Sequence, residues 1–261
     1  MKVIAFVYHD VVANGEVDRS GFPGRAAARY KLTTNQFEQH LEAIGSAGRP
    51  PSLIPDKEVD GGSAPPVVLT FDDGGASAAD VGERLTQLGW PAYFFVVSDY
   101  IGSPSFLDAD GIRALCAAGH TIGSHSRSHP ARISQCAWGR QLDEWRESTD
   151  RLSEILEKPV SAASVPGGFY STQVAKAASA AGIKVLFTSE PKIRSWTVDG
   201  CLVLGRYSIT RDTSAVTARR IAEGSAAPRL RQAASWSLKK VAKGLPGDPY
   251  SKVRGAILNR D

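Results

Sequence analysis

The chain has 261 residues, 42% of them hydrophobic and 22% charged, with a formal net charge of +4. That composition is globular with enough apolar material for a full core, and no apolar run approaches the ~20 residues of a membrane span. From Arg219 onward ten Lys/Arg face three Asp/Glu, leaving 21 against 24 in the rest, so the basic balance belongs to the tail and does not describe the body.

The opening "MKVIAFVYHDVV" reads as a first strand, Val3–His9, rather than a signal peptide, because no small-residue cleavage site follows it. Thr33–Ala47 begins with a Thr33/Gln36 capping box, sets Phe37, Leu41 and Ile44 at helical spacing and has Gly48 beyond. The proline-rich stretch Arg49–Pro66 reads as a connection. Val67–Phe71 is a second strand, followed by a helix over Ala76–Leu88 that Gly89 stops. Ala92–Val97 is a third strand, and Asp108 caps a helix that ends at Gly119. "HTIGSHS" gives a short strand and a loop. Gln135–Glu157 carries the longest helical pattern, which assigns Trp138 and Trp145 to the core. "SAASVPGG", a helix over Thr172–Ala181, "KVLFTS" and "LVLGRYSI" complete the alternation. Repeated strand–helix units predict parallel strands with helices outside, as a barrel or a doubly wound sheet. Cys116, Cys136 and Cys201 are odd in number and form no CxxC, so they read as free thiols, with the cytoplasm the simplest location.

Two stretches carry chemistry. "VVLTFDDGG" ends a strand on the adjacent carboxylates Asp72 and Asp73. Such a pair can open a surface turn, cap the next helix through Asp73, or share a divalent cation that makes two close carboxylates tolerable. "HTIGSHSRSHP" places His125 and His129 four apart after another strand, a spacing that lets two imidazoles converge on one ion. Ligands bind at the carboxyl ends of strands in parallel α/β folds, and two His with one Asp suit an open, catalytic zinc site. His40 and His120 read as packing residues.

Together these stretches resemble the polysaccharide deacetylases, the NodB-homology group of carbohydrate esterase family 4. "TFDDG" (Thr70–Gly74) matches the first motif of that family and "HSRSH" (His125–His129) the second, over a resemblance running from about Val3 to Ile209. The resemblance implies a distorted (β/α) barrel of about seven parallel strands over residues 1–213. It implies that Asp73, His125 and His129 hold a divalent metal, with zinc the first choice. Asp72 would act as general base toward a metal-bound hydroxide that attacks the N-acetyl group of an amino sugar. Gly167 would supply an oxyanion N–H.

The third motif departs from the pattern: in "SVPGG" Ser164 stands where the family has an arginine that orients the catalytic aspartate. The final leucine–histidine motif is missing, since His129 is the last histidine. Arg206 is the candidate to orient Asp72. His9, at the end of the first strand, is the candidate acid, against the alternative that it binds sugar hydroxyls or closes the barrel. Phe169, Tyr170 and Trp196 are candidate substrate contacts, with Trp196 expected on a loop.

Residues 214–261 are expected to be a basic helical extension, with a second short helix over Tyr250–Leu258. It is either packed on the barrel or a peripheral membrane contact at the inner membrane surface. No nucleic-acid-binding module accompanies the charge. Three functions stay open: deacetylation of a polysaccharide or its precursor, deacetylation or deformylation of a lipid-linked sugar in surface-polysaccharide assembly, and a carbohydrate-binding pseudoenzyme.

Overall fold

The computed structural model describes residues 1–54 and 64–244. In chain order these form β1 (Ile4–Tyr8), β2 (Val11–Val12), α1 (Arg25–Ala28), β3 (Leu32–Thr33), α2 (Thr34–Gly45), β4 (Val67–Phe71), α3 (Ala78–Gln87), β5 (Tyr93–Val96), α4 (Ala109–Ala117), β6 (Thr121–Ser124), α5 (Trp138–Leu156), β7 (Ala162–Ser164), α6 (Thr172–Ala180), β8 (Val185–Phe187), β9 (Trp196–Val198), β10 (Cys201–Leu204), β11 (Tyr207–Ser208), α7 (Ala215–Ala222) and α8 (Ala226–Gly244). The helix expected over Tyr250–Leu258 and residues 55–63 of the proline-rich connection lie outside the described residues.

The main sheet has the order β11-β1-β4-β5-β6-β7-β8-β10-β9, and only β9 runs antiparallel to its neighbour. β2 and β3 form a separate parallel pair. Eight strands therefore run parallel where about seven were expected, because the run "LVLGRYSI" is two strands and not one. It breaks at Gly205, where a Cβ would stand 2.2 Å from the Glu190 carbonyl oxygen. β10 and β11 sit near opposite ends of the sheet, so the chain crosses the barrel's seam through Gly205 and Arg206. Backbone bonds from Val3 N–H to the Ile193 carbonyl (2.8 Å) and Ser195 N–H to the Met1 carbonyl (3.1 Å) stitch the same seam from the N-terminal segment.

Both faces of the sheet are buried, so its strands are apolar throughout. Ile4, Phe6, Val67, Leu69, Phe71, Phe94 and Ile122 face the helices, packing with Phe37, Leu41, Ile44, Leu85, Ile112 and Leu152. The alternate residues Ala5, Val68, Tyr93, Phe95, Ala162, Phe187 and Leu204 fill the lumen. Gly123 is required there: a Cβ would lie 2.6 Å from the Phe95 ring and 2.7 Å from the Ala162 carbonyl oxygen.

The capping box of α2 forms as read, with Thr33 Oγ1 accepting from Gln36 N–H and the Gln36 side chain accepting from Thr33 N–H. Asp108 caps α4 through Gly111 N–H. α5 is shorter than its sequence pattern, and its buried face begins at Gln141. Trp145 is fully buried, but Trp138, the first residue of the helix, is 42% exposed and does not join the core. α7 opens the segment read as an extension, yet its Ala218, Ile221 and Ala222 are buried in the same core as α2.

Candidate active site

The strand parity that sends Val68 and Thr70 into the lumen carries on through Asp72, whose N–H extends the ladder to the Tyr8 carbonyl (3.0 Å). The same parity in neighbouring strands turns His125, Ser164 and Arg206 inward. A polar layer at the carboxyl ends of the strands therefore caps the aromatic layer formed by Phe95 and Phe187.

Arg206 is wholly buried and all five of its N–H donors are used. Nη1 bonds Asp72 Oδ1 (2.7 Å) and Thr70 Oγ1 (2.9 Å); Nη2 bonds Asp72 Oδ2 (2.8 Å) and Ser164 Oγ (2.7 Å); Nε bonds the Thr188 carbonyl (3.1 Å). Phe95 and Phe187 flank the guanidinium, each 5.8 Å from ring centroid to carbon. Ser164, short enough to leave room, also donates to Asp72 Oδ2 (3.1 Å). Burial opposes ionisation of Asp72, but the Arg206 charge, then His125 and the Arg206 hydrogen bonds, outweigh it and hold the carboxyl below its ordinary range.

Asp73 does not cap α3; its carboxylate faces two imidazoles. Asp73 Oδ1 lies 3.3 Å from His125 Nε2 and 3.7 Å from His129 Nε2. Zinc bonds of about 2.0–2.1 Å in tetrahedral geometry imply ligand–ligand separations of about 3.4 Å, so this donor set fits one ion. All three ligand atoms lie within 4.8 Å of one another. His125 Nδ1 bonds the Ser164 carbonyl (3.0 Å), which places the proton on that nitrogen and leaves Nε2 free to face an ion. Asp72 Oδ2 stands 3.9 Å from His125 Nε2, beside the cluster and outside it. Burial raises the cost of ionising Asp73, yet the His125 hydrogen bond and the charges of His9, His129 and His125 hold its pKa well below the usual carboxylate range. Asp73 (φ 78°), Ser126 (φ 65°) and His129 (φ 53°) are all left-handed, a conformation that costs non-glycine residues about 1–2 kcal/mol each.

His9 is half-buried, its ring 4.8 Å from that of Tyr30, and its Nδ1 is buried without a hydrogen-bond partner. Its charge bears on both aspartates. Gly167 follows Pro166 in a short turn at φ 59°, where a Cβ would also meet the Phe169 ring at 3.1 Å. Phe169 and Tyr170 are half-buried, and Arg132 stands over the Phe169 ring. Trp196 is not on a loop: it opens β9, opposite Val203, and its Nε1–H donates to Tyr170 Oη (2.9 Å). His40 and His120 are internal hydrogen-bonding residues, as read. Two contacts were not anticipated: Phe22 packs on His129 (5.0 Å between ring centroids), and Glu144 binds the loop between the two histidines. Glu144 had a sequence signal, since it falls on the same helical stripe as Trp145 and Leu152.

A parallel sheet curled into a partly closed barrel, wrapped by helices, defines the NodB-type class. The fold is shared with a Streptococcus pyogenes deacetylase solved with acetate (TM-score 0.67, 21% identity, 82% of this chain and 95% of that one). It is also shared with a polysaccharide deacetylase from Bacillus cereus (TM-score 0.70, 20% identity, 85% and 69%). The chain is similar to the polysaccharide deacetylase family, whose model matches residues 60–186. Curated relatives include chitooligosaccharide deacetylases from Bradyrhizobium sp. (39% identity over 80 residues, 30% of this chain and 34% of the relative) and Sinorhizobium fredii (30% over 144 residues, 54% and 64%). The chain thus spans between a third and just under two thirds of the length of these relatives.

Proposed function

We propose that this protein is a metal-dependent hydrolase that removes an N-acetyl group from an amino sugar of a polysaccharide or its precursor. One observation carries the reading: Asp73, His125 and His129 converge at ligand distances, while Asp72 stays beside them, held by Arg206. Asp73, His125 and His129 would hold the divalent ion, with zinc favoured by the donor set. When bound, that ion supplies a Lewis acid that polarises a carbonyl and acidifies water.

The chain's own residues supply the rest. Arg206 and Ser164 occupy three of the about four acceptor directions of the Asp72 carboxylate, leaving one to take a proton from water. Held below its ordinary range, the Asp72 carboxyl is ionised near neutral pH and has a place to accept a proton. His9 gives a proton to the departing amine nitrogen. Gly167 N–H serves the developing oxyanion, and Phe169, Tyr170 and Trp196 border the acyl group and sugar. Arg206 meeting Asp72 removes one ground for a binding-only pseudoenzyme.

A second reading concerns the substrate's setting. Leu230 is 68% exposed on α8 between Arg229 and Arg231, in the part of the chain that holds the excess positive charge. That pattern supports peripheral contact with an anionic membrane and a lipid-linked sugar at the cytoplasmic face. No helix among the described residues is long and apolar enough to cross a membrane.

The test is zinc content together with acetate release from N-acetylglucosamine oligomers. Bound metal with no acetate or formate released from any N-acyl sugar would overturn the hydrolase.

A further inference from the structure

In the loop that joins His125 to His129, the residue next to His129 is held by a buried carboxylate. Glu144, on α5, is 1% exposed; its Oε2 accepts the Ser128 N–H (2.8 Å), its Oε1 the Ser128 hydroxyl (2.6 Å), and its backbone carbonyl the Arg127 N–H (2.9 Å). Other ties run within the loop, where Ser124 Oγ accepts Ser126 N–H (3.1 Å) and Ser126 Oγ accepts His129 N–H (3.1 Å). Others run to its neighbours: Ser98 N–H donates to the Ser126 carbonyl (3.3 Å), Asp99 N–H to the Arg127 carbonyl (2.9 Å) and Arg127 Nη1 to Glu147 Oε2 (2.6 Å). Among the described residues, only Glu144 bonds Ser128 from outside the loop. Two of its residues, Ser126 and His129, stand in the left-handed region. Such backbone persists only where its surroundings over-determine it.

A carboxylate is costly to bury, and the cation paired with Glu144, Arg140, is 60% exposed and 3.9 Å away. A turn needing only a capped N–H would be served by a serine or an asparagine. Glu144 instead accepts from both the N–H and the hydroxyl of Ser128, the residue directly before His129.

We propose that Glu144 is a positioning residue for His129, fixing the strained loop so that the imidazole meets Asp73 and His125 at ligand distance. The inference rests on the metal-site reading above. Its consequence is that part of the metal affinity is built into α5, which itself carries no ligand.

The experiment measures zinc affinity of the full chain by competition with a chromophoric chelator, for wild type, Glu144→Ala, Glu144→Gln and Ser128→Ala. The visible spectrum of the cobalt(II)-loaded proteins and thermal unfolding of the metal-free proteins accompany it. Loss of a group that orients a ligand weakens metal binding about 10–100-fold. That loss is expected for Glu144→Ala, with weaker cobalt bands. Glu144→Gln, which keeps an oxygen for Ser128 N–H, should recover part of the affinity, and Ser128→Ala should lose less than Glu144→Ala. Should Glu144→Ala not fold, Glu144→Gln and Ser128→Ala decide. Folded variants that all bind zinc like wild type, with unchanged cobalt spectra, overturn the positioning role alone. A wild type that binds no zinc overturns the metal reading and this inference with it.

Discussion

Arg206 and Asp72, 134 residues apart, meet through two parallel N–H···O bonds of 2.7 and 2.8 Å in a place where neither touches solvent appreciably. The pair is a buried ion pair whose partners were brought together only by the curling of the sheet. Removing one member of such a pair leaves a bare charge and costs about 3–5 kcal/mol. Arg206→Met should therefore lose roughly that much stability in urea unfolding, and Asp72→Asn introduced alongside it should recover a large part. A cost below about 1 kcal/mol for Arg206→Met would contradict the pairing.

The two adjacent aspartates should separate cleanly by experiment. Asp73→Asn removes a ligand and should abolish stoichiometric zinc, measured by atomic emission. Asp72→Asn should keep the metal while lowering acetate release by roughly 10²–10⁴-fold, the usual worth of a general base. Metal loss in both variants would mean that Asp72 is a ligand too.

His9 should matter in proportion to how badly the leaving group needs a proton. His9→Ala is expected to slow amide hydrolysis by about 10²-fold or more while sparing an activated aryl acetate, whose phenolate leaves unaided. Equal losses on both substrates would assign His9 to binding and not to acid catalysis.

Two histidines far from the chemistry set the acid limit of the fold. His40 donates through Nε2 to the Thr213 carbonyl (2.9 Å) and accepts from Tyr8 Oη (3.2 Å); His120 donates to the Gly82 carbonyl (3.0 Å) and accepts the Ala92 N–H (3.2 Å). Burial lowers the pKa of each, only partly offset by the backbone bond. Their contribution to stability is whole above the unfolded value of 6.5 and is lost as pH falls through the lower folded values. The unfolding midpoint should drop below about pH 6.5, and His40→Gln or His120→Gln should each flatten that drop. A variant whose midpoint falls as steeply as wild type would show that its histidine is not the group titrating.

Much of the architecture could be read in advance because apolar runs, capping residues and terminal glycines mark each strand and helix locally. The HxxxH spacing and the paired aspartates were legible for the same reason. What was hidden depends on contacts between distant segments. In Val67–Phe71 both faces are apolar, so the alternation that turns Asp72 inward leaves no trace in hydropathy. The break in "LVLGRYSI" exists because Arg206 must reach Asp72 while Gly205 slides past Glu190, and no local pattern records either need. Glu144 falls on the buried face of its helix, but hydropathy marks only the apolar members of that face.

Because β1 and the Gly205–Arg206 crossing both lie outside the stretch most easily matched to relatives, that stretch is smaller than the unit that folds. A fragment trimmed to residues 60–186 would retain Asp72, Asp73, His125 and His129. It would nonetheless leave one edge of β4 unpaired, an anion stranded where its countercharge used to sit, and a lumen open to water. Boundaries drawn by likeness alone would deliver a piece with exposed core, whereas keeping Met1 through Ala222 preserves the latch and the α7 face packed beside α2.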